Sequence, residues 1–318
     1  ANKEKMSLPS ITLLFAGQGS QAIGMGHSLA ETYPAAKAIL EEAEAHLDFS
    51  LTEVMAQGPE EELTRTSRCQ PALFVHGMMS LAVLKDQLGE DLNIAAAAGL
   101  SLGEFTAHTA AGSLSFVDGL QLVAKRGKYM EEACDQTDGS MAAMIGGTED
   151  QVRTLAASTG VDVANLNSPG QIVVSGKREA IAKTIADAKE AGIRIAKEIK
   201  VAGAYHSSLM QSAQEKLAAE LAQTAFNTPK FPVISNLTAS PATDADEIKR
   251  TLEAQVTGSV RWSESIAFLL DQGETHFLEC GPGKILSGLM GRIRKGTFCM
   301  PTGDTDQLET ALQGLRGA

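Results

Sequence analysis

Aromatic residues are scarce: ten Phe, three Tyr and one Trp make up 4% of the 318 residues. The core must therefore be assembled mainly from Ala, Leu, Ile, Val and Met. Basic residues are also in deficit, since 27 Lys and Arg against 39 Asp and Glu leave a net charge of −12. That balance excludes a general nucleic-acid binder, which needs a basic footprint. No apolar run approaches the roughly 20 residues of a transmembrane helix, so a membrane role is not expected. The first ten residues are polar and too short to hold the apolar segment of a signal peptide, and residues 1–5 are not expected to belong to the fold. Cysteine is sparse as well. Cys69, Cys134, Cys280 and Cys299 lie far apart without metal-ligand spacing, so they read as reduced thiols in a reducing compartment, with no bound metal.

What is present is an alternation of apolar runs and helical patterns, in a chain long enough for one large domain or two. Ile11-Thr12-Leu13-Leu14-Phe15 reads as a strand entering a glycine-rich turn. Residues 34–47, 51–54, 71–88 and 116–133 read as helices, with a strand at 94–98. From about residue 138 the rhythm changes to strand 141–145, helix 149–158, strands 162–166 and 171–175, helix 178–191 and strand 193–201. That βαββαβ order is a ferredoxin-like unit. Afterwards larger elements return: a helix to about 225, strand 231–235, helices 246–256 and 263–272, strand 275–279 and a closing helix 307–315. The expectation is an α/β fold: a large domain at 1–137 and 203–318 with a mostly parallel sheet covered on both faces, interrupted by a small ferredoxin-like domain at 138–202.

Two glycine-rich turns stand out. Gly99-Leu100-Ser101-Leu102-Gly103 follows one strand and precedes a helix-compatible segment, the layout of a nucleophile elbow that raises a serine hydroxyl to a sheet edge. The same pattern also suits an ordinary strand-to-helix turn with a capping serine. The other turn, Ala16-Gly17-Gln18-Gly19-Ser20-Gln21, fits the loose dinucleotide pattern through Gly17, Gly19 and Ala22. That motif requires a second strand ending in an acid about 20 residues on. Residues 34–47 are helical instead, so the nucleotide reading fails on context.

A serine nucleophile needs a base, and histidine is the usual one. Of six histidines, His46 reads as a solvated surface residue, and His76 and His108 as packed and hydrogen-bonded. His276 lies within a strand, and His27 follows the first glycine turn. His206 differs, because it ends Gly203-Ala204-Tyr205 where the chain passes from strand to helix, at the sheet edge where open α/β folds place their sites.

Taken together, seven separated motifs resemble the malonyl-CoA:acyl-carrier-protein transacylases and, more distantly, the acyltransferase domains of polyketide synthases. They are Gly17-Gln18-Gly19-Ser20-Gln21, the elbow with Gly103-Glu104-Phe105, Arg126-Gly127, Asn167-Ser168-Pro169-Gly170-Gln171, His206, Val260-Arg261-Trp262 and Gly281-Pro282-Gly283. The resemblance spans residues 12–293 and implies an α/β-hydrolase-like large domain. It also implies Ser101 as nucleophile and His206 as its base, oriented by the backbone carbonyl of Arg261. Backbone N–H groups of Gln18 and Leu102 would form the oxyanion hole, and Arg126 would clamp the free malonyl carboxylate. Met130, Asn167 and Tyr205 would line the pocket, with the Tyr205 ring narrowing the space for a branch at C2. Leu100 is a departure, as many relatives carry histidine before the nucleophile.

The implied reaction passes malonyl from malonyl-CoA through a serine ester to the phosphopantetheine thiol of acyl carrier protein, without a cofactor. It is expected of a monomer in the cytoplasm, or the plastid stroma of a photosynthetic eukaryote, serving fatty-acid or polyketide synthesis. Carrier proteins are acidic, so a chain of charge −12 needs a local basic patch. Candidates are Lys177 and Arg178; Arg194, Lys197 and Lys200; and Arg292, Arg294 and Lys295. Two other readings compete: a serine hydrolase or thioesterase using Ser101 with Asp271 and His276, and a non-catalytic acyl-binding module.

Overall fold

The structure, a computed structural model, describes residues 7–317; the polar start at 1–5 lies outside the described residues. These residues form a mixed α/β fold with two sheets. The strands are β1 (Ile11–Phe15), β2 (Ile94–Gly99), β3 (Gly139–Ile145), β4 (Asp162–Ser168), β5 (Gln171–Lys177), β6 (Ile195–Ile199), β7 (Val233–Ile234), β8 (His276–Cys280) and β9 (Phe298–Pro301).

One sheet runs in the order β7-β2-β1-β8-β9 with every pairing parallel. Both its faces are covered, which is why β1 and β2 read as unbroken apolar runs rather than alternating ones. Ile11, Leu13 and Phe15 point into a core shared with the buried helix Thr66–Leu88. Leu14, Ala96 and Ala98 point the other way, against Trp262, Ile266 and Leu269. The alanines of β2 keep this inner strand thin enough for helices to pack closely on either side.

The second sheet runs β4-β5-β3-β6 and is antiparallel throughout, with a core of its own around Met144, Val152, Leu155, Val174 and Ile181. It is fastened to the remainder where the Leu166 N–H donates to the Val260 carbonyl at 2.9 Å and the Val260 N–H donates to the Ala164 carbonyl at 2.8 Å. This seam fixes the inner residues of β4 beside the parallel sheet's carboxyl edge.

Several elements differ from the sequence reading. The helix expected at 71–88 begins at Thr66, with Pro71 inside it. Its burial outweighs the backbone bond that proline removes. The strand expected at 231–235 shrinks to β7, and that at 193–201 to β6, so His206 follows an irregular loop rather than a strand. β9 went unread because it is a short edge strand ending in proline, where pattern signals are weakest.

The strand-to-helix turn after β2 is a true elbow. Ser101 sits at φ 57°, a left-handed conformation that costs a non-glycine residue about 1 kcal/mol or more. The turn is tolerated because its neighbours have no side chains: a Cβ at Gly99 would lie 1.9 Å from the Gly103 carbonyl oxygen, and one at Gly103 only 2.3 Å from that of Phe15. Neither obstacle is a flexible side chain. Gly103→Ala is therefore expected to destabilise the protein by about 3 kcal/mol, the upper range for overpacking, measured as a lowered urea midpoint. A midpoint within error of the parent would show that the elbow has slack.

Candidate active site

The elbow, the glycine-rich turn after β1 and the loop before the helix Gln211–Gln223 converge on a cleft of about 300 Å³. Ser101, Gln18, Met130, Asn167, Tyr205 and His206 all line it, as does Leu100. The turn and elbow touch backbone to backbone. The Leu100 N–H donates to the Phe15 carbonyl at 3.0 Å, and a Cβ on Gly17 would lie 2.3 Å from the Leu100 carbonyl oxygen. Among the described residues, the backbone N–H groups of Gln18 and Leu102 have no hydrogen-bond partner. Both are thus available as donors to a ligand oxygen.

Ser101 Oγ and His206 Nε2 are 2.7 Å apart. On its other side the imidazole meets a carbonyl, 2.8 Å from Nδ1, and a carbonyl only accepts. Nδ1 therefore carries the proton, and Nε2 presents its lone pair to the serine hydroxyl. That carbonyl belongs to Gln255, which corrects the expectation for Arg261. The Arg261 carbonyl caps the helix Trp262–Asp271, accepting from the Ser265 N–H at 3.0 Å and the Ser265 hydroxyl at 2.7 Å. His206, at φ 55°, is also left-handed, so both members of the dyad sit on strained backbone.

Arg126 is 1% exposed, on the helix Phe116–Gln136. Its Nη2 donates to Ser101 Oγ at 3.2 Å and to Gln255 Oε1 at 2.9 Å, and its Nη1 donates to Gln70 Oε1 at 2.9 Å. The Arg126 Nε–H is buried with no partner among the described residues. Burial lowers the guanidinium to about 10, with nearby Glu104 opposing the shift, so it stays cationic at neutral pH.

Burial first, then the positive Arg126, hold His206 down to about 4. A base must be unprotonated to act, and its acid limb in kcat/KM reports the free enzyme. Serine acylation is therefore expected to hold its rate as pH falls to about 5 and to drop as His206 gains its proton near 4. Rapid-quench rates across pH 3.5 to 8 test this. A limb near 6.5 would mean that the imidazole is not desolvated.

The alternative partners are not brought to Ser101. His276 Nδ1 is 2.8 Å from Thr275 Oγ1 and its ring packs on Phe298, while Asp271 lies 3.6 Å from Arg294. His76 is buried against the Gly303 carbonyl at 2.9 Å, and His108 lies 3.4 Å from Ser113 Oγ.

Three residues were not singled out from the sequence. Gln255 supplies the carbonyl for His206, the amide oxygen for Arg126, and an amide N–H to the Ser101 carbonyl at 3.0 Å. Asn236 Oδ1 accepts from the Ser101 N–H at 2.7 Å, and its amide N–H donates to the Gly99 carbonyl at 2.7 Å, pinning the elbow. Gln70 braces Arg126. Of these, Gln255 left a periodic signal, falling on the same buried helical stripe as Ile248, Thr251 and Leu252.

A hydroxyl bonded to a neutral imidazole beside two free backbone N–H groups is equipped for nucleophilic acyl chemistry. The chain matches the acyl transferase domain family over residues 12–290, and it belongs to that family. Among its relatives, it is 40% identical over 314 residues to the malonyl CoA-acyl carrier protein transacylase of Bacillus subtilis (strain 168), covering 97% of this chain and 98% of that protein. The solved malonyl CoA-acyl carrier protein transacylase (FabD) of Coxiella burnetii superposes with a TM-score of 0.92 at 35% identity, covering 97% and 98% of the two chains. A malonyl-transacylase solved with a type II polyketide acyl carrier protein (PlMCAT:AntF) also gives 0.92 at 35% identity, covering 96% of this chain and all of that one.

Proposed function

We propose that this acyltransferase carries malonyl from malonyl-CoA to the phosphopantetheine thiol of acyl carrier protein through an ester on Ser101. The observation that carries the reading is Arg126, a buried cation 3.2 Å from the nucleophile's Oγ with a free Nε–H. A guanidinium there recognises an acyl group that bears its own carboxylate.

In the reading, His206 Nε2 takes the Ser101 proton as Oγ attacks the thioester. The N–H groups of Gln18 and Leu102 receive the oxyanion, and His206 returns the proton to the departing thiolate. The carrier thiol then repeats the sequence in reverse. The similar malonyl-transacylase solved in complex with a type II polyketide acyl carrier protein supports that acceptor. Of the basic candidates for docking, Lys200 lines the cleft, whereas Arg178 is bound up with Asp138 and Glu198, and Arg294 with Asp271. The separate core of β3 to β6 supports the inserted unit proposed for residues 138–202.

Intact mass after brief incubation with malonyl-, methylmalonyl- and acetyl-CoA tests the reading. A malonyl adduct on Ser101 is expected to accumulate, with less of the other two and no steady release of malonate. Turnover to free malonate without an adduct would favour the hydrolase, and no reaction a binding module.

A further inference from the structure

The carboxyl of Glu104 has no task in the reaction just described, yet it lies at the centre of the site. It stands in the first turn of the helix Gly103–Ala110, three residues after Ser101, and is 0% exposed. Its Oε1 accepts from the Asn236 N–H at 2.8 Å and from Gln255 Nε2 at 3.1 Å. These are the two residues that hold the Ser101 N–H and the His206 imidazole. The Gln255 side chain also joins Glu104 to Arg126, since its amide oxygen accepts from Nη2 while its amide N–H donates to the carboxylate. Among the described residues Glu104 Oε2 has no hydrogen-bond partner, and 3.9 Å away is His108 Nε2, also buried and unpartnered.

We propose that Glu104 is a positioning residue: it is the resting counter-charge of Arg126, and it takes up a proton from solvent when a malonyl carboxylate occupies the guanidinium. The inference rests on the reading of Arg126 as the carboxylate clamp. Above about pH 7, where the carboxyl is ionised, one buried cation and one buried anion balance before substrate binds. Malonyl binding brings a second carboxylate to the guanidinium that Glu104 already balances, and two like charges sharing one cation disfavour ionisation of one of them. Malonyl needs its charge to reach Arg126, so Glu104 is the group that yields.

The proton has a place to go. On Oε2 it faces the lone pair of His108 Nε2 once Nδ1–H is directed at Ser113 Oγ. The charged and titratable groups around Glu104 are Arg126 from the helix Phe116–Gln136 and His108 from its own helix. The helix Ala245–Gln255 and the turn after β7 present only the uncharged Gln255 and Asn236. Burial raises the carboxyl to about 7, against its hydrogen bonds and Arg126, so the exchange falls in the neutral range. His108 stays neutral there, because burial lowers it to about 3.

Acetyl brings no carboxylate and requires no such exchange, which makes the two acyl groups an internal comparison. The ratio of kcat/KM for malonyl-CoA to that for acetyl-CoA is measured from pH 6 to 9. In the parent it is expected to fall above about pH 7, by up to about tenfold per pH unit for one obligatory proton. In Glu104→Gln, which keeps an acceptor for Asn236 and offers an N–H to His108, the ratio is expected to be flat. An unchanged slope in Glu104→Gln overturns the proposal, as does an equal loss of both activities at every pH. A second measurement does not depend on that variant folding. Calorimetric titration of Ser101→Ala at pH 8, in buffers of different ionisation enthalpy, counts protons taken up with malonyl-CoA and with acetyl-CoA. Malonyl-CoA is expected to take up close to one more; equal counts overturn the counter-charge. Failure of the parent to form a malonyl adduct would strike the nucleophile reading instead, and the proton count would still decide this one.

Discussion

Ser101→Ala is expected to abolish the malonyl adduct and to lower transfer to acyl carrier protein by about 10⁴-fold or more, the scale seen when a covalent nucleophile is removed. The reason is local. Ser101 Oγ both meets the His206 lone pair at 2.7 Å and accepts from Arg126 at 3.2 Å. Alanine keeps the left-handed turn and removes only the hydroxyl, so malonyl-CoA binding should persist while the covalent step is lost. Intact mass separates the two, since the parent gains one malonyl and the variant none. A malonyl adduct of normal amount on Ser101→Ala would place the nucleophile elsewhere. A full rate of transfer without any adduct would mean direct transfer between thiols.

Arg126→Ala is expected to act on one acyl group. Loss of a buried partner to a charged group costs about 3 kcal/mol or more, so kcat/KM for malonyl-CoA should fall by roughly 10²–10³. Acetyl-CoA has nothing to offer the guanidinium, and its transfer should rise relative to malonyl. The guanidinium also braces the site through Gln70 and Gln255 and packs 5.4 Å from the centre of the Phe105 ring. Part of the loss will therefore be common to both acyl groups, and the ratio of the two is the quantity to read. An equal loss for malonyl and acetyl would make Arg126 a structural residue and remove the clamp. Whatever the ratio, the variant deprives Glu104 of its counter-charge, so its carboxyl shifts further toward the protonated form.

How far the site was legible differs from residue to residue. Ser101 and the two glycine turns were readable because their chemistry depends on backbone geometry, and glycine spacing encodes that geometry directly. His206 and Arg126 were singled out in one dimension, by position and by resemblance, but nothing in the spacing states that residues 25 and 105 positions from Ser101 meet at its hydroxyl. The carbonyl beside His206 was assigned to Arg261 and belongs to Gln255. A backbone carbonyl leaves no mark on residue identity, so which one reaches the imidazole is a matter of packing alone. Glu104 belongs to the elbow motif in sequence, and its place at the hub of Asn236, Gln255 and Arg126 follows only from burial.

Residue order alone carries the α/β alternation, a mostly parallel sheet covered on both faces, the βαββαβ order within residues 138–202 and the elbow at Ser101. These follow from local properties: apolar runs, helical periodicity and glycines where backbone must approach backbone. Tertiary structure alone decided which polar groups meet. Elements from five distant stretches of chain bring Ser101, Arg126, His206, Asn236 and Gln255 into one network. Burying that network removes water as a competitor for each hydrogen bond, and it is this desolvation that sets His206, Glu104 and Arg126 away from their ordinary proton affinities.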